Sequence, residues 1–395
     1  MPDMMEKSPE FELMLKAAGA ANLLEAEERP LNVYAPCWCL SGKKWKFCHK
    51  DRESKEPLPY GKILDELIKH YATGPCQHPL ASHQTCSSTA SISSHTIQRR
   101  GGLAAIAENG HVFSAKKGFS NLQKNDGKVD LEKIGVRQAS TFPGFCNDHD
   151  TELFRPVELA TSKLDFANAF LLSLRAVTYE FATKDAQLRS HVARKEFSDN
   201  GHPFEVQAAI QNFLSLHQVG IEQGLKDITS LKALYDEAFR SQDFSNFSCY
   251  GVQFDRVLPF AAAGAFIPEF DFEGGIIQEV RLNQPVSQIA LNVTKLGETT
   301  SVVFGWFGGE ECAAARFVNS FKTIPDRQKA DSLLVLAMEY LENFFCTPSW
   351  WTGLAPEISG RLHEKIAGGM PSRSRTALVE PNLNALIAGV KERIE

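Results

Sequence analysis

No run of apolar residues in this 395-residue chain approaches the roughly 18 needed to cross a bilayer, so no membrane-spanning helix and no membrane partner are expected. The chain also lacks an excess of positive charge. Its 42 Lys and Arg stand against 48 Asp and Glu, a net charge of -6, which excludes a wholly basic nucleic-acid binder. Internal repeats and low-complexity tracts are missing, and so is the composition of a fibrous or disordered protein. Beyond residue 158 there is no nucleotide-binding glycine loop, no G-x-S-x-G and no H-E-x-x-H, so that half offers no constellation for catalysis. The first residues place acids before the apolar stretch and carry no basic n-region, so a secretory signal is not expected and the expected address is the cytoplasm.

What is present is a globular composition, 43% hydrophobic and 23% charged, in a length that suits two or three domains. Charge is uneven: Tyr34 to Asp130 holds 14 Lys and Arg against 8 Asp and Glu, leaving -12 for the remainder. A polyanion partner is therefore expected for the N-terminal third. Nine cysteines, an odd number and front-loaded among histidines, argue for metal rather than a disulfide framework. Cys249, Cys312 and Cys346 lie among apolar neighbours and read as core thiols.

Periodicity predicts an amphipathic helix over residues 9 to 28, capped by Ser8 and ended by Pro30, and a second over Gly61 to Tyr71. Residues 97 to 108 look helical, 110 to 114 look like a strand, and Ser114 to Asp130 reads as a loop. One or two long helices are expected over 159 to 195, with two more between 203 and 240. Four antiparallel strands are expected between 249 and 306, around Val252, Ile276 to Val280, Ile289 to Val293 and Ser301 to Phe307. Helices return at 310 to 321, 327 to 345 and 382 to 393. Trp306, Trp350 and Trp351 with their phenylalanine neighbours read as core packing, and Gly274-Gly275 and Gly308-Gly309 as strand-end turns. The expected fold class is α+β and modular. It divides into an N-terminal helix (1–33), a zinc knuckle (34–56), a treble-clef zinc domain (60–158), a helical segment (159–245) and a domain with antiparallel sheet (246–395).

Two Cys/His groups carry the chemistry. Cys37, Cys39, Cys48 and His49 follow C-x-C-x8-C-H, four ligands that suit a tetrahedral Zn²⁺ ion and leave it no open position. So short a segment needs the metal to fold. The second group is Cys76, Cys86, Cys146 and His149, two pairs about 60 residues apart with the second opening a helix. His78 or His83 is an alternative to one cysteine of the first pair.

The first group resembles the SEC-C motif, a zinc module that departs here in carrying Leu40 where the motif usually has Gly. That resemblance implies docking to a protein or ribosome partner, with Lys43, Lys44 and Lys46 available for phosphate or acidic protein. The second region, with Ser94-His95-Thr-Ile-Gln and Phe145-Cys146-Asn-Asp-His149-Asp150, resembles a divergent HNH-type treble clef. This second resemblance implies a nucleic-acid partner, DNA or RNA, and a metal-dependent endonuclease in which His95 is the general base. Asp150 would help to hold Mg²⁺ or Mn²⁺, and Arg99 or Arg100 would steady a phosphate. Asn109 or His111 would take the middle polar role. Ser94 replaces a metal-binding residue, which puts the chemistry but not the fold in question. The company such modules keep implies a bacterial protein in defence against foreign DNA. The rival expectation is a non-catalytic binding protein with two structural zinc sites.

Overall fold

The computed structural model describes residues 32–115, 130–367 and 377–395. The helix expected over 9 to 28 and most of the loop expected from Ser114 to Asp130 lie outside them. In chain order the elements are α1 (Tyr60–Ala72), strand β1 (Ser93–His95), a helical segment that opens as a π-turn at Arg99–Leu103 and ends at Ile106, then β2 (His111–Ala115), β3 (Leu131–Gly135) and β4 (Thr141–Pro143). Helices α2 (Asn147–Glu158), α3 (Phe166–Lys195) and α4 (Phe204–Ser241) follow. The remainder is β5 (Phe247–Phe254), β6 (Phe260–Phe266), β7 (Ile289–Leu296), β8 (Thr299–Phe307), α5 (Ala313–Thr323), α6 (Asp326–Tyr340), β9 (Phe344–Cys346), a single helical turn (Pro348–Thr352), α7 (Pro356–Ala367) and β10 (Val390–Ile394). The fold is α+β.

Contacts divide the chain into two units, and the boundaries fall within α3 and α4. The first holds the described residues up to Thr73 together with Thr183–Lys226. Its small apolar centre joins Trp38 of the first Cys/His group to Phe204, edge to face at 5.3 Å.

The second unit is built on an eight-stranded antiparallel sheet in the order β10-β5-β8-β7-β6-β9-β2-β3. Both faces are buried, and side chains alternate between them with the two-residue period of a strand. On β6, Ala262 enters the larger core, while Ala261 and Ala263 enter a smaller one on the other face. In the larger core α5 and α6 supply Phe317, Phe321, Leu333 and Leu336 against Tyr250, Phe304 and Val293. The smaller core takes Ile97, Leu103 and Ile106 from the segment after β1. Strand β1 pairs only with β4, with His95 opposite Thr141.

Several expectations are corrected. Ile276 to Val280 is not a strand but a loop with one bridge to Phe270. The fourth central strand is instead Phe260–Phe266. Its alanines lack β propensity and fit because neighbouring layers press closely, a Cβ on Gly264 falling 3.0 Å from Leu341. The two helices expected between 203 and 240 are one continuous α4. The helix expected over 327 to 345 ends at Tyr340, and Phe344–Cys346 is a strand. The helix expected over 382 to 393 is absent. Asn382 and Asn384 take left-handed φ of 55° and 49°, which breaks a helix, and Val390–Ile394 pairs with β5. Cys249 and Cys346 are buried, whereas Cys312 is half-buried and caps α5 by accepting the Ala315 amide. Trp306 and Trp351 lie in the core with Trp350 packed against it, and Gly274 and Gly308 take positive φ.

Candidate metal centres

The first centre begins with a turn. The Cys37 amide donates to the Lys43 carbonyl, and Trp45 to that of Ala35, which folds residues 35 to 45 back on themselves. Leu40 (φ 56°) and Gly42 (φ 73°) both take left-handed backbone to close it. A short 3-10 turn, Trp45–Phe47, then presents Cys48 and His49. The ligand atoms of Cys37, Cys39, Cys48 and His49 lie within 4.8 Å of one another. His49 Nδ1 is 3.2 Å from the sulfurs of both Cys37 and Cys48, and Cys39 Sγ is 3.5 Å from Cys48 Sγ. Tetrahedral zinc, with Zn–S about 2.3 Å and Zn–N about 2.0 Å, separates its ligands by roughly 3.5 to 3.8 Å, so the donor set fits that ion.

The outer support of this centre had no signal in the sequence. His49 Nε2 lies 2.8 Å from Asp199 Oδ2, and both side chains are buried. Asp199 also receives Arg52 Nη1 at 2.5 Å and Gln211 Nε2 at 2.9 Å. Arg52 in turn donates to the carbonyls of Cys48 and Lys195. Burial works against the Asp199 carboxylate, but these three donors outweigh it and hold its pKa below the ordinary value. Burial likewise pulls His49 down, and its bonds to Asp199, Cys39 and Cys48 overcome that and raise it to about 10. A metal must therefore displace a proton from Nδ1, while Asp199 fixes the tautomer that donates from Nε2.

The second centre is assembled by the β1–β4 pair and α2. Cys146 is the N-cap of α2 and His149 stands in its first turn. His149 Nδ1 lies 3.4 Å from Cys76 Sγ, 3.7 Å from Cys86 Sγ and 3.3 Å from Cys146 Sγ. The four donors again lie within 4.8 Å of one another. The Cys146 amide donates to Cys76 Sγ at 3.2 Å, as a thiolate at a helix N-terminus requires. His78 and His83 are not in this group. His78 instead stacks on the His149 ring at 3.9 Å. Among the described residues these two groups are the ones that can hold a metal ion.

The other candidate residues are placed as follows. His95 is half-buried, and its Nε2 donates to the Val136 carbonyl at 3.2 Å. Burial lowers its pKa, which keeps the imidazole neutral with Nδ1 unprotonated. Asp150 lies within electrostatic reach of His95, Ser94 and Arg175. Burial raises its pKa and Arg175 opposes the rise, while its Oδ1 is buried without a partner. Arg175 is itself buried, bonded to Glu158 at 2.7 Å and stacked 4.1 Å over Phe154. Ser94 Oγ accepts the Phe145 amide. Asn109 and Gly110, both at positive φ, form the turn before β2, and His111 bonds back to the Asn109 carbonyl. Arg99 and Arg100 are exposed at the start of the π-turn. Ile97 and Gln98, part of the same motif, dock this region on the sheet, with Gln98 bonded to Thr294 at 2.5 Å and to the Val157 carbonyl.

On the first centre, Lys43 pairs with Glu196 at 2.8 Å. The ammonium of Lys46 sits 4.0 Å from the Tyr34 ring centre and 4.5 Å from that of Phe47, and Lys44 is exposed. No helix among the described residues is long and apolar enough to cross a membrane. Comparison of the chain with protein-family models, with curated proteins and with solved structures gave no match.

Proposed function

We propose that this chain is a zinc-stabilised nucleic-acid-binding protein that engages single-stranded DNA or RNA without cutting it. On this reading residues 35 to 50 are a SEC-C module, and 74 to 158 are a divergent HNH-like treble clef that keeps the fold and uses its metal for structure. Each metal group supplies four protein ligands, which leaves no open coordination position for water or substrate.

The observation that carries the reading is the exposed face of the first centre. Tyr34 is 58% and Phe47 72% exposed, large aromatic surfaces with Lys46 between them and Lys44 and Lys50 nearby in sequence. Aromatic rings beside ammonium groups suit stacked bases and their phosphates, and each base stacked on a ring contributes roughly 1–3 kcal/mol. Arg99 and Arg100 add exposed cations for phosphate. The test is fluorescence anisotropy with labelled oligothymidine, oligouridine and duplex DNA over a salt series. Single strands bind most tightly, Phe47→Ala weakens them about tenfold, and Lys44→Ala lowers the salt slope by about one. A preference for duplex, or binding insensitive to Phe47→Ala, rejects the reading. Binding to no nucleic acid leaves the adaptor function, docking to a protein or ribosome.

A second reading, phosphodiester hydrolysis, is favoured by one observation: His95 is neutral and held by a backbone carbonyl, as a general base must be. Against it, buried Arg175 lies within electrostatic reach of Asp150, and its positive charge opposes a divalent cation held there. Cleavage assays with Mg²⁺ or Mn²⁺ on wild type and His95→Ala decide it. Cleavage lost in the variant establishes the nuclease, and no cleavage leaves the binding function.

A further inference from the structure

We infer that the second metal centre is a redox-sensitive site, at which a peroxide joins Cys86 to Cys76 and releases the zinc ion while the first centre stays intact. This goes beyond nucleic-acid binding and rests on Cys76, Cys86, Cys146 and His149 holding zinc.

The two centres differ in access. In the first, Cys37, Cys39 and His49 are each less than 5% exposed and Cys48 alone is half-buried, Trp38 packs 4.4 Å from the His49 ring, and Asp199 anchors the imidazole. In the second, Cys76 and Cys86 are only half-buried. Both line an open cavity of about 540 Å³, with Ser82, His83, Ser87 and Thr89 also in its wall. A water-sized reagent needs roughly 30 Å³, so a peroxide has room beside both sulfurs. Cys86 sits on a loop whose residues 81–85 and 87–90 are exposed. That loop is held mostly by its own bonds, Thr85 Oγ1 to the Leu80 carbonyl at 2.7 Å and Ser82 Oγ with Thr85 Oγ1 at 2.9 Å. It meets the start of α2 through Ser87, which hydrogen-bonds Cys146 and accepts the Asp148 amide on its Oγ at 3.4 Å, and through Cys86 Sγ, 3.7 Å from His149 Nδ1. The His149 ring stacks on His78, and among the described residues no carboxylate bonds it as Asp199 bonds His49. The sulfurs of Cys76 and Cys86 already lie within 4.8 Å of each other, and only nine residues separate them in sequence, so a disulfide needs a small closure of one loop.

The chemistry balances with hydrogen peroxide as the oxidant. The Cys86 thiolate attacks one peroxide oxygen, the O–O bond breaks, and hydroxide leaves a sulfenic acid on Cys86. The Cys76 thiolate then attacks the Cys86 sulfur, forms the S–S bond and displaces a second hydroxide. Two sulfurs have lost two electrons, one peroxide has gained them, and two solvent protons convert the hydroxides to water. Cys146 and His149 alone no longer complete a tetrahedral site, and zinc leaves as the hydrated ion.

The test uses the full-length protein loaded with zinc, hydrogen peroxide, and a chromophoric chelator that reports free zinc. Peptide mapping by mass spectrometry then locates the disulfide. One zinc equivalent is released at least about tenfold faster than the other, the span that loss of outer support typically commands. The map then shows Cys76 joined to Cys86, with Cys37, Cys39 and Cys48 still reduced. Release of both ions at one rate, or earlier oxidation of Cys37, Cys39 or Cys48, overturns the inference. Zinc bound at the first centre alone overturns the metal-site reading beneath it, and stoichiometry before peroxide addition separates the two failures. The mapping is done on the wild-type chain, so no variant has to fold.

Discussion

His49 and Asp199 are 150 residues apart in sequence and 2.8 Å apart in the fold, Nε2 to Oδ2, with both side chains buried. The pair ties the first metal centre to the segment between α3 and α4. It also decides which imidazole nitrogen faces the thiolates.

Replacing Asp199 by Asn therefore weakens zinc at the first centre by about 10- to 100-fold while leaving the second unchanged. It also leaves Arg52 buried without its carboxylate. Competition with a chelator of known affinity, read as two separate zinc equivalents, checks the first effect. A lowered thermal midpoint checks the second.

Leu40 takes φ 56° at an exposed position in the turn of the first centre. Left-handed backbone costs a residue with a Cβ about 1–2 kcal/mol, part of which glycine returns as unfolded-state entropy. Leu40→Gly stabilises the zinc-loaded protein by about 0.5–1 kcal/mol. Urea titration shows the midpoint moving up with the slope unchanged.

Gly102 is required by a close approach. A Cβ there would fall 2.2 Å from Thr294 Oγ1 and 2.7 Å from Ile97 Cγ2, at the bond between Gln98 and β7. Gly102→Ala destabilises by about 1–3 kcal/mol. Thr294→Ser keeps that hydroxyl and does not relieve the clash, whereas Thr294→Ala in the Gly102→Ala background recovers part of the loss. A double-mutant cycle in urea measures the coupling.

Asp331 on α6 accepts the Leu386 amide in the larger core, and burial raises its pKa to about 6. A carboxyl raised in the folded state contributes stability that is fully present below its ordinary value near 3.8. That contribution is lost as pH rises through about 6. Asp331→Asn, neutral throughout, gains up to about 2 kcal/mol over wild type at pH 7.5 and nothing at pH 4. Thermal midpoints of both proteins across that range carry the test, and parallel curves would refute the assignment.

The ligand sets of both centres were legible because they are local chemistry. Soft donors in pairs, with Ser41-Gly42 between the two pairs of the first group and a helix start beneath the second group, restrict what a short segment can do. Strands β5, β7 and β8 were legible for the same reason, since β-branched and aromatic residues fill them. The alanine-rich β6 was not, because its small side chains answer to the layers on either side and not to backbone preference. Residues 382 to 393 misled for the opposite reason. Their apolar spacing mimics a helix, but Leu383, Leu386 and Ala388 enter the core from a loop pinned by Asp331.

The sequence by itself determined the two Cys/His groups, the α+β class and most long elements, since each depends on residues near one another in the chain. Tertiary structure alone decided that Asp199 anchors His49, that buried Arg175 lies within electrostatic reach of Asp150, and that Cys76 and Cys86 border an open cavity while Cys37 and Cys39 are enclosed. Those facts depend on burial and on partners brought together from distant segments. No local pattern encodes which buried charge a distant donor will meet, because the energy of that meeting exists only once water has been excluded around it.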